Sequence, residues 1–112
     1  MEIPMNDTRS DAYSTPVFDS DGFLIDPAMW SENLADRVAQ GDGFGKLNEL
    51  QLSLLRTLRH EFAKHGSVPS LHHVCHLIGQ APDCMQHLFP GPREAWRLAG
   101  LPNPGEEAKT YL

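Results

Sequence analysis

The feature that most constrains the fold is a helix whose two ends and buried face can all be recognised within residues 48–66. Asn48 and Gln51 have the spacing of a capping box, in which each side chain bonds the other residue's backbone N–H. Gly66 can end the helix, because glycine readily adopts the left-handed conformation of a C-terminal cap. One face carries an apolar stripe at helical spacing, formed by Leu52, Leu55, Leu58 and Phe62. The pattern predicts an amphipathic helix that packs this face on the rest of the domain.

Shorter helices are predicted on both sides of this one. Asp26-Pro27 is a cap and first-turn proline pair that precedes an apolar face beginning at Trp30. After Gly66, one short helix is closed by Gly79, another has Pro82 near its start, and the last runs from Pro92 to Gly100. Upstream, the pair Asp21-Gly22 lies between two short apolar runs, which is a hairpin signal.

Together these patterns predict a mostly helical α+β fold, with an N-terminal β-hairpin packed on a bundle of about five helices. Residues 48–78 form a helix-turn-helix-like pair in this scheme. We divide the chain into a flexible N-terminal tail (1–15), a folded domain (16–100) and a C-terminal Pro-x-Pro arm (101–112). The arm is expected to be stiff, because each proline ring fixes φ and restricts the residue before it.

Size and charge narrow the class of protein. The 112 residues carry a net charge of −6, which argues against broad nucleic-acid binding. The acids are concentrated in residues 1–45, whereas residues 46–100 are mildly basic and hold all six histidines. No apolar run approaches the roughly 20 residues of a membrane span, and the polar start does not resemble a signal peptide. We therefore expect a cytoplasmic location and no membrane partner.

Two cysteines and several histidines crowd into residues 72–87, and their spacing matches no strong zinc signature. We expect neither a metal nor a cofactor. Cys84 is a weak candidate for a reactive thiol, because it lies in the first turn of its helix with His87 three residues on. The negative charge of Asp83 beside it has the opposite effect, because it disfavours the reactive thiolate. Cys75 lies mid-helix among apolar residues and is expected to be inert.

A DNA-binding interpretation of residues 48–78 is a further alternative. The second helix of a helix-turn-helix enters the major groove and carries the base-reading side chains. In this chain that helix offers three histidines and no Arg or Lys. Phosphate contacts would fall to Arg56, Arg59 and Lys64, which is a thin supply.

The run LFPGPREAWRLAGLPNP closely resembles the C-terminal signature of the DsrC/TusE family of sulfur-relay proteins. The matching positions are Leu88–Pro90, Gly91-Pro92, Ala99–Pro102 and Pro104. The stretch FDSDGFLIDPAMWSENLA resembles the family's opening segment, so the resemblance covers about residues 16–105. It implies a small α+β domain with a mobile C-terminal arm. It also implies an arm cysteine that takes up sulfur as a persulfide or trisulfide, and many members have a second cysteine in the preceding helix.

This chain departs from the family at both cysteine positions. Glu107 lies near the expected arm cysteine, and Trp96 occupies the helix position. The leading hypothesis is therefore a non-catalytic partner-binding or regulatory module rather than an enzyme. By resemblance, its partner would be a sulfurtransferase or a sulfite-reductase-type complex. The second hypothesis is a sulfur carrier, for sulfite reductase or tRNA thiolation, that uses a relocated thiol such as Cys84 or Cys75. The third is the DNA-binding regulator. The expected partner contacts are Ala99, Gly100, Leu101, Pro102, Asn103 and Pro104.

Overall fold

The computed structural model describes residues 16–110 and residue 112, so the predicted flexible tail of residues 1–15 lies outside the described residues. Within these residues, no helix is both long and apolar enough to cross a membrane. The chain forms a short 3-10 helix and six α-helices in the described part. The 3-10 helix is Pro27–Met29, and the α-helices are α1 (Glu32–Gly41), α2 (Glu49–His65), α3 (Leu71–Leu77), α4 (Cys84–Leu88), α5 (Pro92–Leu98) and α6 (Glu106–Lys109).

The long helix α2 has the ends that its sequence predicts. The Asn48 side chain accepts a hydrogen bond of 2.8 Å from the Gln51 backbone N–H, and the Gln51 side chain accepts one of 2.9 Å from Asn48. At the other end, Gly66 has φ +73° and its N–H bonds the carbonyl of Phe62. Both the capping box and the glycine cap are therefore confirmed.

The helix predicted after Asp26-Pro27 is divided into two pieces. Asp26 caps only the three-residue 3-10 helix, whose C-terminal cap, Trp30, is extended with ψ 147°. A second cap follows at once, because Ser31 Oγ accepts a hydrogen bond of 3.0 Å from the backbone N–H of Leu34. The serine starts α1, and Trp30 at the junction packs against the core.

The core gathers around α2 and α5. Trp96 of α5 has no exposed surface, and its ring meets Phe62 of α2 edge-on with the centroids 5.5 Å apart. Leu54, Leu55 and Leu58 present the buried face of α2 to the same cluster. Burying such side chains is the main source of stability in a domain of this size. The core therefore ties the long helix directly to the helix that precedes the arm.

The predicted N-terminal β-hairpin is wrong, and with it the α+β class. Residues 16–110 contain no β-strand, only one isolated antiparallel bridge between Phe18 and Leu24. The reason is the Asp19 carboxylate, which accepts hydrogen bonds of 2.9 Å from the backbone N–H groups of Asp21 and Phe23. An aspartate that bonds nearby backbone donors competes with strand pairing. The segment is therefore a tight, side-chain-braced turn on a helical fold.

Candidate functional site

The C-terminal arm leaves the core through a glycine for which no other residue can substitute without strain. Gly100 has φ +69°, and a Cβ at this position would lie 2.2 Å from Cδ1 of Trp30. The indole N–H of Trp30 donates a hydrogen bond of 2.8 Å to the carbonyl of Leu98, which fixes the ring against this corner. Leu101 follows and is only 2% exposed. The start of the arm is thus part of the core.

Beyond Leu101 the arm lies on the domain and is held by polar contacts. The indole N–H of Trp96 donates to the carbonyl of Pro102 at 2.8 Å. The side-chain amide of Asn103 donates to the carboxylates of Asp19 and Asp21, at 3.1 and 3.2 Å. Further along, the Lys109 ammonium lies 2.6 Å from Asp21. The braced turn of residues 19–22 therefore receives the arm, which is docked in this structure.

The arm contacts change the acidity of the groups that make them. The hydrogen bond from Lys109, together with its charge, holds the pKa of Asp21 below its ordinary value of 3.8. The same contact raises the pKa of Lys109 above its ordinary value of 10.5. The backbone N–H of Phe23 is the main cause that lowers the pKa of Asp19, and Asn103 adds to it. Opposite charge and donated hydrogen bonds favour the charged form of each group, so docking favours the ionised pair.

A groove of about 730 Å³ lies between the docked arm and the turn that joins α2 to α3. One wall is formed by Pro102, Pro104 and Ala108 of the arm, and the other includes Val68 and Leu71. Its lining is mainly apolar and includes a few polar groups, which is typical of binding sites. Since the arm supplies one wall, the groove exists only while the arm is docked. We call it the arm groove.

The six predicted partner-contact residues fall into two groups. Ala99, Gly100 and Leu101 are buried and set the exit direction of the arm. Pro102, Asn103 and Pro104 reach the surface and line the arm groove. Their role as a partner-binding site stays a prediction. The opposite wall was missed by sequence reasoning, because nothing in the local pattern around Val68 and Pro69 indicates that the distant arm packs beside them.

Cys75 of α3 and Cys84 of α4 are joined by a disulfide, with their Cα atoms 5.8 Å apart. Both residues are buried, at 0% and 3% exposure. Sequence reasoning missed this pairing, because the spacing of two cysteines does not show that their helices pack side by side. Cys84, the weak candidate for a reactive thiol, is therefore neither exposed nor free in this oxidised form. A relocated sulfur site would require the bond to open first.

The surrounding histidines do not build a metal centre. Among the described residues, no group of three or more His, Cys, Asp or Glu side chains could hold a metal ion. His73 and His76 stack at 6.3 Å between ring centroids, and His87 bonds Asp83 at 3.0 Å. The latter hydrogen bond is the main cause that lowers the pKa of Asp83. These side chains interact with one another at the surface instead of converging on a common point.

The basic side chains suggested for phosphate contacts already have intramolecular acceptors. Arg56 pairs with Glu32 of α1 and with Glu49 of its own helix α2. Arg59 donates to the carbonyls of Ala99 and Pro27, at 2.9 and 3.0 Å, and Lys64 lies 3.6 Å from the buried carboxylate of Glu61. Binding DNA through α2 and α3 would have to replace these contacts. DNA binding through the helix-turn-helix-like pair stays a prediction.

The fold and site define a small helical protein whose C-terminal segment is docked beside a surface groove. The chain belongs to the family of DsrC-like proteins, whose family model matches residues 12–106. The family membership predicted from the sequence is therefore confirmed.

Two curated relatives carry names from sulfur transfer. The chain is similar to the sulfurtransferase TusE homolog of Haemophilus influenzae, with 27% identity over 97 residues that cover 79% of this chain and 88% of the relative. It is also similar to the sulfurtransferase TusE of Pectobacterium atrosepticum, with 30% identity over 99 residues and coverage of 80% and 90%. The similarity thus extends over most of both sequences.

Solved structures show the same fold. The oxidized gamma-subunit of the dissimilatory sulfite reductase (DsrC) from Archaeoglobus fulgidus superposes with a TM-score of 0.68 at 31% identity, covering 81% of this chain and 90% of that one. A chain in the crystal structure of dissimilatory sulfite reductase I (DsrI) gives a TM-score of 0.72 at 26% identity, with coverage of 81% and 89%. Both matches extend over most of the chains compared.

Proposed function

We propose that this chain is a non-catalytic docking module of the DsrC/TusE type, which binds a protein partner through the arm groove and regulates sulfur transfer without carrying sulfur on its arm. The observation that carries the proposal is the docked arm itself. A groove whose walls are already in place binds without first paying the entropy of ordering them. Pro102 and Pro104 make the arm wall stiff as well as apolar.

The chemistry of the arm supports a role other than sulfur carriage. Residues 101–112 contain no cysteine, and Glu107 near the position expected from the resemblance is exposed. Trp96, at the second cysteine position implied by the resemblance, is fully buried, and its indole N–H is bonded to Pro102. Neither a carboxylate nor an indole forms a persulfide. Glu107 instead adds a negative charge to the surface, and Trp96 packs in the core and holds the arm.

The partner that we propose is a sulfurtransferase or a sulfite-reductase-type assembly. This choice rests on the relatives, which are named as sulfurtransferase TusE proteins and as the gamma-subunit of a dissimilatory sulfite reductase. A mainly apolar groove with a few polar groups favours an apolar segment of such a partner. In binding, this chain would compete with a cysteine-bearing family member for the same surface.

Binding to each candidate partner tests the proposal directly. Val68→Glu places a charge in the arm groove, whereas Leu77→Glu places the same charge at a residue that is 48% exposed and does not line the groove. We expect Val68→Glu to weaken binding by at least about tenfold, equal to about 1.4 kcal/mol, with Leu77→Glu unchanged. Equal effects of the two substitutions, or no binding of the unmodified chain to either partner class, would contradict the proposal.

A second experiment separates docking from sulfur carriage. The chain is first reduced and freed of the reductant, then incubated beside its Cys75→Ser and Cys84→Ser variants with a persulfide-loaded sulfurtransferase, and its intact mass is measured. We expect no added sulfur, while a cysteine-bearing family member loads normally in the same reaction. A gain of one sulfur that disappears in one of the variants would instead establish the relocated-thiol carrier and identify its site.

A further inference from the structure

The Cys75–Cys84 disulfide joins two short helices of the folded core, α3 and α4. These helices contain seven and five residues, and isolated helices of that length are not stable in water. The segment between them, residues 79–83, is exposed throughout. Their order therefore depends on packing against the core and on the covalent bond between them.

Apart from their packing on the core, the two helices have weak caps. The Ser70 cap of α3 accepts a long hydrogen bond of 3.3 Å from His73, and α4 has no side-chain cap. Within the turn, the N–H of Gln80 bonds the carbonyl of Cys75 at 2.9 Å. A bond that closes this loop removes conformational freedom from the opened state, so the closed arrangement is favoured while the bond exists.

The disulfide is coupled to the arm groove through α3. Leu71, which lines the groove, lies four residues before Cys75, so the two side chains occupy the same face of this short helix. Loosening α3 at Cys75 therefore loosens the groove wall at Leu71. His72, beside it, also lines the groove.

We propose that the Cys75–Cys84 pair is a reversible redox site that controls the order of α3 and α4, and through them the arm groove. The first part stands independently, and the link to partner binding rests on the proposed function. In the oxidised form, the bond holds both helices and the groove wall is complete. In the reduced form, residues 71–88 open locally more often, and the groove loses one side for part of the time.

The chemistry is thiol–disulfide exchange with a dithiol reductant. One thiolate of the dithiol attacks the sulfur of Cys84, forming a mixed disulfide and releasing Cys75 as a thiolate that takes up a proton. The second thiol of the reductant then loses its proton and attacks its own mixed-disulfide sulfur, which releases Cys84. The net change is two electrons and two protons from the dithiol to the protein, and the dithiol becomes a disulfide. Because both sulfurs are buried, attack requires local opening of α4, so exchange is slower than at an exposed disulfide.

Hydrogen exchange of the full chain, before and after treatment with dithiothreitol, tests the first part. Completeness of reduction is confirmed by alkylation and mass measurement. We expect amides of residues 71–88 to exchange at least about tenfold faster after reduction. The increase should not exceed about a hundredfold, because that is the effect of the loop-closure entropy that the disulfide removes. Amides in the middle of α2 should keep their protection. The double variant Cys75→Ala/Cys84→Ala should show the same exchange rates as the reduced chain. If the variant does not fold, the comparison of the oxidised and reduced chains decides the question.

Two results would overturn the redox site. One is that, after complete reduction, the amides of residues 71–88 exchange at rates within about twofold of those in the oxidised chain. The other is a disulfide that dithiothreitol opens only when denaturant is added. Binding of the sulfurtransferase or sulfite reductase partner to both redox forms tests the link separately. Equal binding by both forms would overturn only the link between the disulfide and partner binding. No binding by either form would overturn the proposed function, and the redox site would then be decided by the hydrogen-exchange data.

Discussion

The indole N–H of Trp96 donates a hydrogen bond of 2.8 Å to the carbonyl oxygen of Pro102, so the largest fully buried side chain of α5 also holds the arm. The ring is simultaneously packed against Phe62 of α2. One residue thus connects the long helix, the last core helix and the wall of the arm groove. The resemblance to sulfur carriers implies a cysteine at this position, whereas in this chain Trp96 anchors the arm.

Trp96→Phe should release the arm while keeping an aromatic ring in the core. The substitution removes the donor to Pro102 and leaves a small cavity, so we expect a loss of about 2 kcal/mol in the free energy of unfolding. Limited proteolysis should show faster cleavage within residues 102–110. Trp30→Phe is the matched control, because it also loses an indole hydrogen bond to a backbone carbonyl but not one to the arm. Equal arm cleavage in the two variants would contradict the anchoring role of Trp96.

Gly100→Ala should be much more damaging than Gly79→Ala. The two glycines have similar φ values, +69° and +73°, but only at Gly100 would a Cβ meet the Trp30 side chain. The left-handed conformation alone costs about 1–2 kcal/mol for alanine, and the clash adds roughly 1–3 kcal/mol. Urea unfolding of both variants measures the difference. Similar losses would show that the corner relaxes around the added methyl group.

Arg59→Lys should destabilise the chain although it keeps the charge. The Arg59 guanidinium spans the carbonyls of Ala99 and Pro27 and lies 4.5 Å from the centre of the Trp30 ring. Burial lowers the pKa of Arg59. A lysine cannot reproduce this planar set of contacts, so we expect a loss of about 1–3 kcal/mol in thermal or urea unfolding. Arg37→Lys, at an exposed residue of α1, should have no measurable effect.

Docking of the arm should depend on pH at both extremes. The pKa of Asp21 is lowered in the folded chain, chiefly by Lys109, so its stabilisation is complete above the ordinary value of 3.8 and disappears as pH falls through the lowered value. The pKa of Lys109 is raised, chiefly by Asp21, so its stabilisation is complete below 10.5 and disappears as pH rises through the raised value.

Hydrogen exchange of residues 102–110, corrected for the intrinsic pH dependence of exchange, measures this docking. Asp21→Asn should weaken the protection of residues 102–110 at neutral pH. It should also make that protection less sensitive to acid, because the titrating group is removed. Added salt should weaken docking in the unmodified chain, because the pair is at the surface and is screened. An acid response that is identical in the chain and in Asp21→Asn would show that other groups hold the arm.

Sequence reasoning performed best where the contacts are local. The capping box of α2 and its glycine cap join residues within about one turn of each other, so the pattern contains the interaction. The apolar stripe was predicted only in part, because Leu54, which is fully buried, lies outside it. The family could be recognised for a related reason, since the run from Leu88 to Pro104 is continuous in the chain. The hairpin prediction failed although it was also local, because the Asp19 side chain competes for the backbone donors that strands would use.

The sequence by itself therefore determined the main helices, the family and the absence of a cysteine from residues 101–112. Only the tertiary structure decided that the arm is docked, that a groove forms beside it and that Cys75 bonds Cys84. Asp21 and Lys109 are 88 residues apart, and no local pattern relates them. Their contact exists because the Trp96-centred core brings the end of the chain back to the turn of residues 19–22. Long-range contacts of this kind follow from packing of the whole domain, whereas helix ends follow from the few residues that form them.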